Sequence, residues 1–276
     1  VSRYAEVLSF TRLADRVFSA GGGLAAPALD AGGRLLLMYT ALQGVAGQMK
    51  VYARPSRRPA FLTGLLATVD ELKTCAVTPE HLWTAGSETG GEEGDKLLDL
   101  SLIYGAYEAL TARQGADPRD KLTRLARLLE TCPWARGRDF YVDGFTDFTP
   151  QERLVLRRLL VQGQSVTAAL TCDRLEEDED GGGIFSPARR TARQLLRLAR
   201  DAGVPQELEL RTQAARPRTP ALAHLERELF APAPMPWEGP AEALTLFTAH
   251  TPYSQVEWTA AEILRLVREE GFRFWD

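Results

Sequence analysis

One short segment, residues 141–152, restricts the fold of this chain more than any other part of it. A strand-like run from Asp139 to Val142 leads into the pair Asp143-Gly144, and the sequence Thr-Pro-Gln-Glu follows at residues 149–152. Threonine at the N-cap with glutamate three positions later forms a capping box, and proline is well tolerated at the first helical position, where no N–H is needed. The segment therefore predicts a strand, a loop and a helix in that order, which is typical of an α/β domain.

The same segment suggests a nucleotide-hydrolysing site that has lost one residue. In such domains an aspartate at the end of a buried strand holds Mg²⁺, and the next residue is normally a glutamate that positions the attacking water. Asp143 occupies the metal position, but Gly144 stands where the base is needed, so we predict no catalytic residue and no metal site. Ordinary Asp-Gly turn chemistry remains an alternative. A phosphatase with an Asp-x-Asp-Gly-Thr signature does not fit, because its nucleophile falls at Tyr141.

Alternating strand-like and helix-like segments predict an α/β fold with a mostly parallel sheet. The predicted strands are residues 6–10, 139–143, 165–171 and 207–211, and the predicted helices beside them are residues 11–18, 150–162 and 187–202. Residues 33–131 instead show apolar positions at helical spacing, interrupted by a polar loop at residues 86–95. Because this block is far longer than a normal crossover connection, we expect a large helical insertion between two strands.

A second α/β unit is predicted to begin near residue 241. Residues 230–240 contain four prolines, which indicates a stiff linker. A strand at residues 244–249 and a helix opened by a capping box of Ser254 and Glu257 are expected after it. Since the chain begins with valine and stops where another strand is about to start, we expect it to be a piece of a longer protein.

Composition argues against several classes of protein. With 276 residues and 45% hydrophobic content the chain can form a core, and it has no apolar run of about 18 residues that could cross a membrane. The cysteines and histidines are widely spaced: Cys75, Cys132, Cys172, His81, His224 and His250. This pattern is typical of a cytoplasmic protein with reduced thiols, and it argues against a disulfide framework or a His/Cys metal centre. The glycines at residues 21–23 lack the Gly-Lys-Ser/Thr ending of a phosphate loop.

Positive charge is concentrated near the N-terminus, although the net charge is −4. Residues 1–60 contain eight lysines and arginines against three acidic residues, a local balance of +5. One loop places four cations around a tyrosine: Lys50, Tyr52, Arg54, Arg57 and Arg58. Cations interleaved with an aromatic residue are typical of single-stranded nucleic-acid binding. A solvated turn between two helices is an equally good interpretation.

Three segments in this order resemble the superfamily 1 helicase scaffold: residues 7–14, residues 141–152, and residues 246–249 with 257–267. The AddB family of bacterial helicase-nucleases is the most similar, since it carries a degenerate D-G-F-x-x-F-T-P-Q-E segment. The resemblance covers essentially the whole chain. It implies a RecA-like, P-loop NTPase-like α/β domain from residues 1–32 and 132–236, a helical insertion at residues 33–131, and the start of a second α/β domain at residues 237–276.

The resemblance also implies a DNA contact at the first segment, where Phe10 packs or stacks, Thr11 donates a hydroxyl to a phosphate and Arg12 supplies charge. Phe10 as a core residue and Arg12 as a surface charge remain the alternative. The implied role is to guide single-stranded DNA and recognise a recombination hotspot, while an AddA-like partner supplies ATP-driven translocation. ATP with Mg²⁺ and the family's iron-sulfur cluster are expected outside this chain, which would need no cofactor of its own. An active NTPase and a protein-interaction scaffold are the rival functions.

Overall fold

The computed structural model describes residues 5–23, 27–53, 59–172, 174–176, 183–211, 219–231, 233–242 and 244–274. The chain divides into two compact units, residues 1–209 and residues 210–276. The three-part division expected from the family resemblance remains a prediction.

Unit 1 is mostly helical. Its helices are α1 Phe10–Gly21, α2 Ala31–Val45, α3 Pro59–Thr74, α4 Pro79–Thr89, α5 Gly91–Gln114, α6 Lys121–Thr131, α7 Pro150–Gln162 and α8 Ser186–Asp201. Its strands are β1 Asp139–Val142 and β2 Ser165–Ala168, which pair in parallel with Asp139 opposite Ser165. α7 connects the two strands, so this part of the predicted α/β succession is confirmed.

Two hydrophobic cores organise unit 1. The first joins α2, α3, α4 and α5, and its fully buried side chains include Met38, Leu42, Val69, Ile103 and Tyr107. The second joins α1, α6 and α7 through side chains such as Val17, Leu125, Leu129 and Val155. β1 and β2 pack against this second core with Phe140 and Val166. Residues 33–131 are thus largely helical, as their periodicity predicts.

The predicted polar loop at residues 86–95 is wrong, because this segment belongs to a tight hairpin of α4 and α5. A side chain at Gly86 would come within 2.9 Å of the Gly94 carbonyl oxygen, so the two glycines let the helix backbones approach closely. The chain turns at Gly90, whose φ of +66° suits glycine. The polar, glycine-containing composition of residues 86–95 therefore indicates a close contact between two helices and not a loop.

The predicted sheet is also too large. Among the described residues, the strands predicted at 6–10 and 207–211 join no sheet, and neither does the strand predicted at 244–249 in the second unit. Residues 5–9 have no regular secondary structure and lead into α1. β1 is not the buried strand that its apolar run suggested, since Tyr141 is 78% exposed. The physical reason is that apolar composition favours extended backbone, whereas a strand exists only with a hydrogen-bonded neighbour.

In unit 2 the proline-rich segment folds back on α9, Pro220–Glu228. The main chain of Met235 is held from both sides: its N–H donates to Oε2 of Glu228 at 3.0 Å, and its carbonyl oxygen lies 2.8 Å from Nε2 of His224. Leu225, Met235 and Trp237 help to line a cavity of about 330 Å³ beside this contact. The predicted stiff linker is thus, in its described part, a segment packed on a helix.

Local capping signals placed two helices with different accuracy. α7 begins and ends at the predicted residues 150 and 162, with Thr149 and Glu152 forming the expected capping box. α10, Pro252–Glu269, begins earlier than predicted, because Thr251 is the N-cap and pairs with Ser254. The box of Ser254 and Glu257 is therefore wrong. Serine and threonine three residues apart offer two competing caps, and proline at the first helical position favours the earlier one.

No helix among the described residues is both long and apolar enough to cross a membrane. Among the described residues, Cys75, Cys132 and Cys172 form no disulfide bond.

Candidate nucleic-acid interface

The structure brings together two of the segments that carry the helicase resemblance. The ring of Phe10, the first residue of α1, lies 5.6 Å from the ring of Phe145 and 6.3 Å from that of Phe148, both nearly edge-on. Phe145 and Phe148 stack on each other at 5.0 Å. Phe148 is buried and the other two rings are half-buried. This aromatic triad, Phe10 with Phe145 and Phe148, fixes the start of α1 against the loop of residues 143–149.

The first turn of α1 exposes the other two predicted DNA-contacting side chains. Ser9 is the N-cap, and its hydroxyl accepts a hydrogen bond from the Arg12 backbone N–H at 3.3 Å. Leu13 and Ala14 are buried on the core side, so Thr11 and Arg12 point away from it and are exposed. Within the described part of the chain neither side chain has a hydrogen-bond or ion-pair partner. A hydroxyl and a guanidinium therefore stand free at the positive end of a helix.

Asp143 and Gly144 form a turn, and their neighbours do not fit a metal site. Oδ1 of Asp143 accepts a hydrogen bond from the N–H of Gly144 at 2.9 Å, and both residues are exposed. Among the described residues no group of three or more His, Cys, Asp or Glu side chains could hold a metal ion. Gly144 has a φ of +77°, a left-handed conformation that disfavours glutamate at this position.

Polar contacts from two helices hold the loop of residues 143–149. In the capping box, the Thr149 N–H donates to Oε2 of Glu152 at 2.8 Å. Nη1 of Arg153 donates to the Phe148 carbonyl oxygen at 2.6 Å. From α8, the hydroxyl of Thr191 donates to the Thr146 carbonyl oxygen at 2.8 Å. Thr191 is only 2% exposed. Its role was missed, although a threonine on the apolar face of an amphipathic helix signals a buried hydrogen bond.

The described part of the basic loop is already engaged within the protein. Nζ of Lys50 lies 2.6 Å from a carboxylate oxygen of Asp95, and this hydrogen bond, together with the charge of Asp95, raises the pKa of Lys50. The ring of Tyr52 packs 5.4 Å from that of Phe61. A phosphate that contacts Lys50 would compete with Asp95 for its ammonium group. Arg54, Arg57 and Arg58 lie outside the described residues.

Asp99 anchors the start of this loop and was also missed by sequence reasoning. Its carboxylate accepts the backbone N–H groups of Lys50, Val51 and Tyr52 at 3.0, 2.8 and 2.9 Å. Asp99 is 1% exposed, and its place among the leucines of α5 was the available signal. Tyr52 packs on the first core and Phe10 on the second, so the two parts of the predicted DNA site belong to different cores.

The chain matches the profile of a protein family described as "ADDB, N-terminal" over residues 2–226. Proteins whose names describe one subunit of an ATP-dependent helicase/deoxyribonuclease are similar along nearly the whole chain. One from Desulforudis audaxviator is 40% identical over 99% of this chain, and one from Moorella thermoacetica is 37% identical over 96% of it. One from Thermoanaerobacter sp. strain X514 is 34% identical over 99% of the chain. The chain spans 24% of the length of each of these relatives.

Proposed function

Because the chain belongs to the AddB N-terminal family, we propose that it is the helicase-like part of an AddB protein, one of the subunits of an ATP-dependent helicase/deoxyribonuclease that acts in DNA double-strand-break repair. Its task is to bind and guide one DNA strand. The observation that carries this proposal is the aromatic triad, because it fixes the loop of residues 143–149 beside the start of α1 while Thr11 and Arg12 stay exposed.

The chemistry of this site fits a sugar-phosphate backbone. Arg12 supplies a guanidinium that can bind phosphate oxygens through two hydrogen bonds, and Thr11 supplies a neutral donor one residue earlier. The positive end of α1 adds to the favourable potential for an anion. The half-buried rings of Phe10 and Phe145 offer edges rather than a free stacking face, so the triad positions the strand more than it holds bases.

The proposed role is binding without ATP turnover. The turn at Asp143 and Gly144 has neither a second metal ligand nor a base among the described residues, and the chain has no Gly-Lys-Ser/Thr phosphate loop. We assign ATP-driven translocation to an AddA-like partner, and nuclease chemistry and the iron-sulfur cluster to parts of the protein outside these residues. Recognition of a hotspot sequence belongs to this proposal, and so does a cytoplasmic location.

Binding of a fluorescent oligothymidine to the full chain at several salt concentrations tests the proposal. Arg12→Ala should reduce the magnitude of the salt slope by about 0.7, the value for one phosphate contact on a single strand. Thr11→Val should weaken binding with little change in slope, because a hydroxyl releases no counterion. Arg127→Ala is the matched control, since Arg127 is an exposed arginine on α6 without an ion pair among the described residues.

Two results would contradict the proposal. If Arg12→Ala and Arg127→Ala give the same slope, the first turn of α1 does not contact the strand. If the wild-type chain binds no oligonucleotide at low salt, the scaffold function is the better interpretation. A triple replacement of Arg54, Arg57 and Arg58 by alanine tests the basic loop separately, with an expected decrease in slope of about 2.

A further inference from the structure

α8 carries an unusual distribution of charge. It contains five arginines, and its one acidic residue, Asp201, is the last residue of the helix. Arg190, Arg193, Arg197 and Arg200 follow one another at intervals of three, four and three residues. Positions with this spacing lie on one face of a helix. The arginine face, defined as these four residues, is about 15 Å long at a rise of 1.5 Å per residue.

The packing of α8 leaves three of these four arginines exposed and Arg193 half-buried. Thr191 and Ala199, on the opposite side, are 2% and 7% exposed. Arg189 lies one turn before Arg193 on the arginine side of the helix, but it is 4% exposed and donates to the Glu176 carbonyl oxygen at 3.2 Å, so it is not part of the exposed face. Arg190, Arg197 and Arg200 are exposed, and none of them forms an ion pair with a described residue. Three uncompensated cations are thus held in a row on a fixed helix.

The first half of α8, which carries Arg190, packs on the loop of residues 143–149. Thr191, the neighbour of Arg190, donates to the Thr146 carbonyl oxygen at 2.8 Å. Nη1 of Arg153 lies 2.6 Å from the Phe148 carbonyl oxygen and 3.5 Å from Oε1 of Gln194 on α8. The same loop contacts Phe10 at the start of α1. The start of α1, the loop and the first half of α8 are therefore joined by direct contacts.

We infer that the arginine face of α8 is a second binding surface, for the backbone phosphates of a single nucleic-acid strand. Its length matches several successive phosphates, which are about 3.4 Å apart along a stacked strand. The surface extends the proposed DNA-binding function and rests on it for the choice of nucleic acid. An acidic protein is the less suitable partner, because protein interfaces are built around an apolar or aromatic centre and this face has none between its arginines.

Salt titrations of the full chain with a fluorescent oligothymidine test this surface. The triple variant Arg190→Ala, Arg197→Ala and Arg200→Ala should reduce the magnitude of the salt slope by about 2, at about 0.7 per lost phosphate contact. Alanine at exposed helical positions keeps the helix intact, which circular dichroism verifies. Replacing the same three arginines with lysine should restore the wild-type slope, because charge drives counterion release.

The control variant removes the same charge elsewhere: Arg113→Ala, Arg127→Ala and Arg136→Ala. These arginines are exposed and form no ion pair among the described residues. This variant should keep a slope close to that of the wild type. The inference is overturned if the two triple variants have equal slopes, or if the α8 variant binds like the wild-type chain.

Other outcomes separate this surface from the α1 site. If Arg12→Ala lowers the salt slope and the α8 variant does not, the arginine face does not bind the strand, and the proposed function is still supported. If only the α8 variant lowers the slope, the surface is supported and the α1 site is wrong. Binding of polyglutamate without binding of oligothymidine, lost in the α8 variant, would overturn the choice of nucleic acid in favour of an acidic protein.

Discussion

Nζ of Lys73 lies 3.1 Å from Oδ2 of Asp117, and the two side chains are 1% and 0% exposed. Two further carboxylates reach the same ammonium, Glu108 at 2.5 Å and Asp120 at 2.6 Å. Arg34 bridges Asp117 to Asp70, so the cluster joins α2, α3, α5 and the short turn before α6. Burial lowers the pKa of Lys73, but the charge of Asp120 and the hydrogen bonds to it outweigh burial and hold the pKa above its usual value.

Removing the Lys73 ammonium should lower the stability of the helical block. Lys73→Met leaves three carboxylates close together without their shared cation, so we expect the free energy of unfolding to fall by about 3–5 kcal/mol. Urea denaturation followed by circular dichroism measures the change. Lys96→Met is the control, because Lys96 forms an exposed ion pair with Glu92 and its loss should leave the midpoint nearly unchanged. Equal midpoints for the two variants would show that the buried cluster does not stabilise the fold.

Asp117 and Asp120 should respond differently to replacement by asparagine. Burial opposes the charge of Asp117, but the N–H of Arg119 and the charge of Lys73 lower its pKa overall. Burial raises the pKa of Asp120, and the negative charges of Glu108 and Asp117 raise it further, which together outweigh the attraction of Lys73. At neutral pH Asp117→Asn should therefore destabilise the protein much more than Asp120→Asn. The reverse order in urea denaturation would contradict this account.

Because their pKa values shift in opposite directions, Asp117 and Asp120 should contribute oppositely to the pH dependence of stability. A lowered native pKa means that Asp117 stabilises the fold above its unfolded pKa, near 4, and that this stabilisation is lost as the pH falls through the native value. A raised native pKa means that Asp120 stabilises the fold at low pH and that this contribution is lost as the pH rises through the native value. Urea denaturation between about pH 3 and 7 should show a weaker loss of stability on acidification in Asp117→Asn than in wild type. If the free energy of unfolding depends on pH in the same way in Asp117→Asn and in the wild type, Asp117 does not have this role.

Asp99 should control the order of the loop that follows it. Asp99→Asn removes one of two acceptor oxygens shared by three backbone N–H groups, so we expect a destabilisation of about 1.5–3 kcal/mol. Hydrogen exchange should show faster exchange of the amides of Lys50, Val51 and Tyr52. Asp95→Asn breaks only the ion pair of the Lys50 side chain and should leave these amides protected. Equal exchange in both variants would show that Asp99 does not hold the loop.

Gly144→Glu should not create an ATPase. The left-handed backbone at residue 144 costs about 1–2 kcal/mol for a residue with a side chain, and the chain has no phosphate loop to complete the site. We expect no DNA-stimulated phosphate release from either the wild-type chain or the variant. Gly144→Asn should lower the thermal midpoint less than Gly144→Glu, because asparagine tolerates this conformation. Turnover that Asp143→Ala abolishes would mean that the site is active.

The sequence predicts best those elements that are stabilised by contacts between residues close together in the chain. α7 was predicted to the residue because its capping box, its proline and the following glycine all act within one turn of a helix end. β1 and β2 were located because apolar runs beside a capped helix favour a parallel pair. The predictions of strands at residues 6–10 and 207–211 were wrong, because a strand needs a hydrogen-bonded neighbour and local composition does not identify that neighbour.

The sequence by itself determined the helical block, the strand–helix–strand unit around α7, and the presence of glycine at position 144, because helical period, capping and residue identity are properties of short segments. Only the tertiary structure decided that Phe10 meets Phe145 and Phe148, and that Lys73 sits among carboxylates from three other positions in the chain. These contacts join residues between about 35 and 140 positions apart. They form because burial of apolar side chains brings distant segments together, and only then do the polar groups carried with them find their partners.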